Sequence, residues 1–191
     1  MFSRTVLRHL PLLALLLALP GLSHADSWAP PKLQVVSSTN GRALARVTPG
    51  GFSEGKRPEV ALYAFDTNAG QYTRTAQFKL RNRLAPVVVL LTGHGELVTL
   101  DEWAGVGRGT VLAVYTADGQ PRLQFTLDQL LGEQAAGKAT QSISSTWWRC
   151  RKPQLSLDDN LLRVDTYDNG SLRVELATGK VEYEPGNGRC A

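Results

Sequence analysis

A hairpin unit is written more than once along this chain. VVSSTNGRALARV is followed, after a glycine-rich loop, by VALYAFDTNAGQYTRTAQFKL. About 53 residues on, VVVLLTGHGELVTLDEW, a second glycine-rich loop and TVLAVYTADGQPRLQFTLDQL repeat that order. A third, shorter copy reads LSLDDNLLRVDTYDNGSLRVELATGKVEYE. Tyr63 and Tyr115, Asp66 and Asp118, and Phe78 and Phe125 hold corresponding places. Within each copy short runs alternate apolar and polar residues, the period of a strand with one face buried. Turn signals separate the runs, among them Asn40-Gly41, Asp118-Gly119 and Asn169-Gly170. Such pairs tolerate the positive φ of a tight hairpin, so the chain predicts antiparallel sheet.

A four-stranded meander repeated two to three times is the pattern of a propeller blade. Closure needs about four blades or more, so three predict an open, propeller-like all-β array with exposed flanks. A β-sandwich of the same strands is the alternative. Helix formers gather only at Asp128 to Ala136, where Gly132 interrupts and Gly137 ends at most two turns; Gly137 to Ser145 reads as a small, polar connector.

The amino terminus has the parts of a secretory signal. Arg4 and Arg8 precede the apolar run Leu10 to Leu19, broken only by Pro11, and Ser23-His24-Ala25 follows the helix breakers Pro20-Gly21. The run is shorter than the about 20 residues of a bilayer-spanning helix. Cleavage after Ala25 is therefore expected, leaving no membrane anchor and a periplasmic or secreted chain. Residues 26–32 read as an extended leader and 33–191 as one β domain, with repeats at 33–80, 86–131 and 143–191. Cleavage removes two arginines and no acid, so a formal charge of +4 falls to +2 and His94 becomes the only histidine. With no basic run, that balance gives no footprint for nucleic acid. Cys150 and Cys190 read as a disulfide in an oxidising compartment; a reactive thiol or metal ligand would need a neighbouring base that the region lacks. Closing a loop of about 40 residues is worth roughly 4 kcal/mol in the chain-entropy account.

Proton-transfer groups are scarce, and no cofactor is implied. His94 stands between two glycines at a hairpin tip, where no orienting partner or nucleophile is expected to enclose it. Asp101-Glu102-Trp103 joins two carboxylates to an aromatic, as a glycosidase might require, but neighbours on a strand point to opposite faces. Gly105-Val106-Gly107-Arg108-Gly109 lacks the following helix of a phosphate-binding loop and reads as a flexible blade loop. Carrying Arg108 and edged by Trp103 and Thr110, it is the first choice for a recognition loop. Trp147 and Trp148 read as core, with sugar stacking the functional alternative. Asp158-Asp159-Asn160 and Asp165, Asp168 and Asn169 fit turns better than calcium spacing, and no metal site is predicted.

Between Val87 and Gln120, the arrangement VVVLLTGHGELVTLDEWAG followed by VLAVYTADGQ resembles periplasmic immunity proteins that protect against type VI secretion amidases. The resemblance implies a non-enzymatic domain that binds a protein partner in the cell envelope. It also implies that the loop after this hairpin, Ala104 to Thr110, enters the partner's active site. The family's loop relies on a small hydroxyl residue, and Thr110 is the one present here. A cell-wall or polysaccharide-binding protein using Trp103, Trp147 or Trp148 is the alternative, and a hydrolase built on Asp101 or Glu102 ranks behind both.

Overall fold

The computed structural model describes residues 29–51 and 55–190. The expected signal, residues 1–25, lies outside them. Strands β1 (Gln34–Ser37), β2 (Ala43–Thr48), β3 (Glu59–Asp66) and β4 (Gln71–Lys79) form an antiparallel sheet in chain order. β5 (Pro86–Leu91), β6 (Leu97–Glu102), β7 (Leu112–Tyr115) and β8 (Pro121–Phe125) form a second. Helices α1 (Leu127–Leu131) and α2 (Glu133–Ala136) follow, then the two-stranded ribbon of β9 (Thr140–Gln141) and β10 (Thr146–Trp147). β11 (Gln154–Leu155), β12 (Leu161–Asp165), β13 (Ser171–Glu175) and β14 (Val181–Glu184) form the third meander.

The hairpin turns are built by side chains as well as by glycine. Ser38 Oγ donates to Asn40 Oδ1 at 2.8 Å and Thr166 Oγ1 to Asp168 Oδ1 at 2.7 Å, while Thr116 and Ser156 do the same to Asp118 and Asp158. Each Asx oxygen in turn holds a main-chain N–H two residues on at Arg42 (3.0 Å) and Gly170 (3.1 Å). A hydroxyl two places before an Asx thus fixes the turn that the strands on either side need.

The second sheet is buried on both faces. Val88, Val98, Leu100, Leu112 and Val114 pack with Leu162, Val164, Leu172 and Val174 of the third sheet. Their strand neighbours Val89, Leu91, Leu97, Ala113 and Tyr115 pack with Ala45, Val47, Val60 and Leu62 of the first. Two apolar interfaces therefore stack three sheets, where a two-sheet sandwich has one. A one-residue slip would still exchange the two faces, so register is held by packing and turns together. Tyr115 shows how closely the repeats meet: its ring lies 5.5 Å from that of Phe78, and its hydroxyl accepts from Arg81 N at 3.0 Å. Burial pushes its phenol pKa up, partly opposed by that N–H. Gly119 has φ 88°, and a Cβ there would stand 2.3 Å from the Phe78 ring, so only glycine fits. On the outside of the third sheet, Arg173 and Lys180 pair with Glu184 (3.7 Å) and Glu182 (2.7 Å), closing that end of the stack with charge.

The disulfide forms between Cys150 and Cys190, with Cα atoms 5.4 Å apart, and pins the last residues beside the segment that follows Trp148. Among the described residues no helix is long and apolar enough to cross a membrane. Gly132 does break the helical stretch, at φ 80°. The connector expected over Gly137 to Ser145 instead contains β9 and the turn into β10; strands of two residues are too short to show a period. The two tryptophans also differ from expectation. Trp148 is fully buried, but Trp147, in the two-stranded β9–β10 ribbon, is 49% exposed.

Candidate functional site

Asp101 is the last residue but one of β6 and organises the loop after it. Its φ of 58° turns the chain out of the strand, and its carboxylate faces inward with no exposed surface. Oδ1 accepts from Gly107 N at 2.9 Å and from Trp148 Nε1 at 2.7 Å; Oδ2 accepts from Arg149 Nε at 2.7 Å. A carboxylate can be kept in such a place only when its lone pairs are met, and here a cation and two N–H donors meet them. Glu102 points elsewhere and accepts from Leu84 N, so the two carboxylates do not converge on one bond.

From that anchor the glycine-rich loop runs outward under restraint. Trp103 N donates to Ala85 O (2.9 Å), Gly105 N to Glu102 O (2.9 Å) and Arg108 N to Gly105 O (3.0 Å). Val106 drops into the core, and its carbonyl accepts from Thr146 N at 2.8 Å. Gly107 has φ 71°, and a Cβ there would lie 2.5 Å from Thr146 O, so glycine is what lets loop and ribbon touch. Arg108 Nη2 reaches Ser142 O at 2.9 Å. Thr110 sits at the base of the loop, where its carbonyl accepts from Asn82 Nδ2 at 3.2 Å. The loop expected to be flexible is thus tied to two elements, by a carboxylate on one side and a ribbon on the other.

The ribbon supplies what the sequence did not single out. Its turn is held by Ser142 N on Ser145 O (2.7 Å) and Ser145 N on Ser142 Oγ (3.0 Å), and it lifts Ile143 to 99% exposure. Between loop, ribbon and helices lies a depression of about 380 Å³, lined in part by Asp128 and Glu133. The apolar tip Ile143 within a serine-rich stretch was the legible signal, but only the Arg108–Ser142 contact shows that it stands beside the glycine loop.

Of the expected site residues, Trp103, Gly105, Gly107, Arg108, Gly109 and Thr110 share this end of the second sheet. His94 does not join them. It is exposed at the β5–β6 turn, beyond the other end of β6, about 20 Å away at 3.3 Å per residue. There it borders a depression of about 280 Å³ with Arg42, Tyr63 and Phe65. Among the described residues no group of three His, Cys, Asp or Glu side chains is placed to hold a metal. Of the turn carboxylates, Asp168 is fully engaged, accepting from Thr166, Tyr183, Gly170 and Gly186, whereas Asp159 accepts from Gly93 N through one oxygen and leaves the other buried without a partner among the described residues. Desolvation opposes ionisation of Asp168, but those hydrogen bonds outweigh it and hold its pKa below the usual carboxylate range.

No protein-family model matches the chain, and no curated protein matches it. Among solved structures, the chain is similar to a protein from Lactobacillus plantarum determined as a structural-genomics target. Identity is 16% over 82% of this chain and 41% of that one, with a TM-score of 0.44. The chain therefore spans less than half the length of that protein.

Proposed function

We propose that this chain is an exported, non-enzymatic protein-binding domain that presents the β6–β7 loop and the β9–β10 turn to a protein partner in the cell envelope, as an immunity or inhibitor protein does. The observation that carries the reading is a fully exposed Ile143 on a turn that its own serines close and that Arg108 ties to the glycine loop. A single exposed apolar side chain is common, and Leu157 is exposed to the same degree; Ile143 differs in standing on a turn that Arg108 ties to the glycine loop, and a loop held still loses less entropy on association. A few anchors, each ringed by contacts that exclude water, carry most of the energy of a protein interface, and Ile143 between Ser142 and Ser144 is the anchor of this reading.

The test is a photo-crosslinking residue at position 143 of the exported chain, followed by purification of the adduct and reconstitution. A 1:1 complex is expected, weakened at least tenfold by Ile143→Asp and by Arg108→Ala without loss of fold. No adduct across growth conditions, or a complex indifferent to both changes, overturns the reading. A polysaccharide-binding role is favoured by one observation, the half-exposed Trp147 on the same ribbon. Titration with peptidoglycan fragments that shifts tryptophan emission, and does not in Trp147→Ala, would support that second reading.

A further inference from the structure

The first strands of the three meanders turn their unpaired edges to one another. β1, β5 and β11 each have a single neighbour in their sheets. Ser38 N donates to Ala43 O, Thr92 N to Glu96 O and Ser156 N to Leu161 O. In an antiparallel pair the bonded positions alternate, so the N–H and C=O groups of Val35, Ser37, Val89, Leu91 and Leu155 point away from the paired strand. Ser37, Val89, Leu91 and Leu155 line one cleft of about 600 Å³. At one point a side chain already uses this edge: Gln34 Nε2 donates to Pro86 O at 2.8 Å.

The two kinds of edge are guarded differently. Exposed strand edges ordinarily carry charge or proline that discourages pairing. The far edges do: β4 has Arg74 and Lys79, β8 has Pro121 and Arg122, and β14 has Glu182 and Glu184. The near edges carry less: Pro86 opens β5, and Lys152 and Pro153 precede β11, but β1 has neither charge nor proline. β1 reads QVVS, and β5 after its opening proline reads VVVLL. Leu33 and Val35, on the outer side of the β1 edge, are more than half exposed, where side chains of an added strand would cover them. Among the described residues the cleft lining contains one cation, Lys152, and no acid. No ion pair of Lys152 occurs among the described residues.

We propose that this cleft takes an extended, acidic segment of a protein partner, which adds as a strand to the edge of β1 and sets a carboxylate against Lys152. The proposal rests on the protein-binding reading above but concerns a different surface. Backbone pairing supplies affinity in this mode, and the flanking side chains supply selectivity.

The experiment selects binders from a displayed library of random dodecapeptides on the exported chain, then maps each by amide chemical shifts. Acidic, β-forming peptides are expected, moving the amides of Ser37, Val89 and Leu91. Lys152→Glu should weaken them about tenfold or more. Ser37→Pro, which removes an outward N–H, should abolish them while the melting temperature stays near the parent's. N-methylation of alternate peptide amides should do the same, with the protein untouched. Absence of any binder, or binders that survive these changes, overturns the cleft. Binders that map instead to Gly105–Gly109 and Ile143 also overturn it, and leave the loop reading supported.

Discussion

Replacing Asp101 tests whether the loop is held from within. In Asp101→Ala three donors lose their acceptor: the Gly107 amide, the Trp148 indole and the Arg149 guanidinium. Removing one partner of a buried ion pair costs about 3–5 kcal/mol. Arg149 keeps 15% of its side chain in solvent, which favours the lower half of that range. Alanine at φ 58° adds about 1 kcal/mol of backbone strain. Asp101→Asn keeps the shape, tolerates that φ and retains an acceptor for Gly107 and Trp148, but turns an amide donor or a neutral oxygen toward Arg149. Its cost should be about 1.5–3 kcal/mol, the worth of a charged hydrogen bond. For a domain of this size each kcal/mol is about 2–4 °C, so the total of about 4–5 kcal/mol for alanine should lower the melting temperature by roughly 8–20 °C. Urea melts followed by far-ultraviolet circular dichroism give the free energies. The Gly107 amide should exchange faster in both variants. If Asp101→Ala stays within about 1 kcal/mol of the parent, the carboxylate behaves as a surface group and the anchoring argument is wrong.

Three further outcomes follow from the same geometry. Gly107→Ala, whose Cβ would strike Thr146 O, should cost more than about 2 kcal/mol and displace the β9–β10 ribbon, while Gly109→Ala, with open space around it, should show only the strain of its positive φ, about 1 kcal/mol; paired denaturation curves compare them. Cys150→Ser with Cys190→Ser should remove roughly 4 kcal/mol, read by urea titration against the oxidised parent. The folded pKa of Asp168 lies below its unfolded value, so its contribution is present above about pH 4 and is lost as pH falls through the folded value; Asp168→Asn should flatten stability against pH below pH 4, and an unchanged acid limb would refute this.

Strands and turns were legible because both are local. A period of two and an Asn-Gly or Asp-Gly pair act within a few residues, and the runs Val87 to Leu91 and Leu97 to Leu100 are apolar on both sides because both sides are covered. The disulfide was legible because two cysteines leave one pairing. The β9–β10 ribbon was not, since four strand residues held by a serine turn carry no pattern. The two roles of the tryptophan pair were equally hidden: adjacency says that they face opposite ways, but only the ribbon's position says which way is solvent. Asp101 was seen as half of a carboxylate pair; that it faces the core depends on Arg149 arriving from 48 residues away.

The same residue explains why a glycine-rich loop can serve as a rigid feature. Ala104, Gly107 and Gly109 all sit at positive φ, a stretch with high backbone entropy when free. A purely apolar anchor under it would fix depth but not direction, since apolar contacts have no preferred angle. The Asp101 carboxylate adds direction: its oxygens require the indole, the guanidinium and the Gly107 amide to lie where they do. Val106 supplies the depth, and Thr146 with Ser142 fixes the far side. A buried charge is a poor source of net stability, so its retention at this point is best explained by what it positions, the one loop that leaves the stack beside an exposed isoleucine.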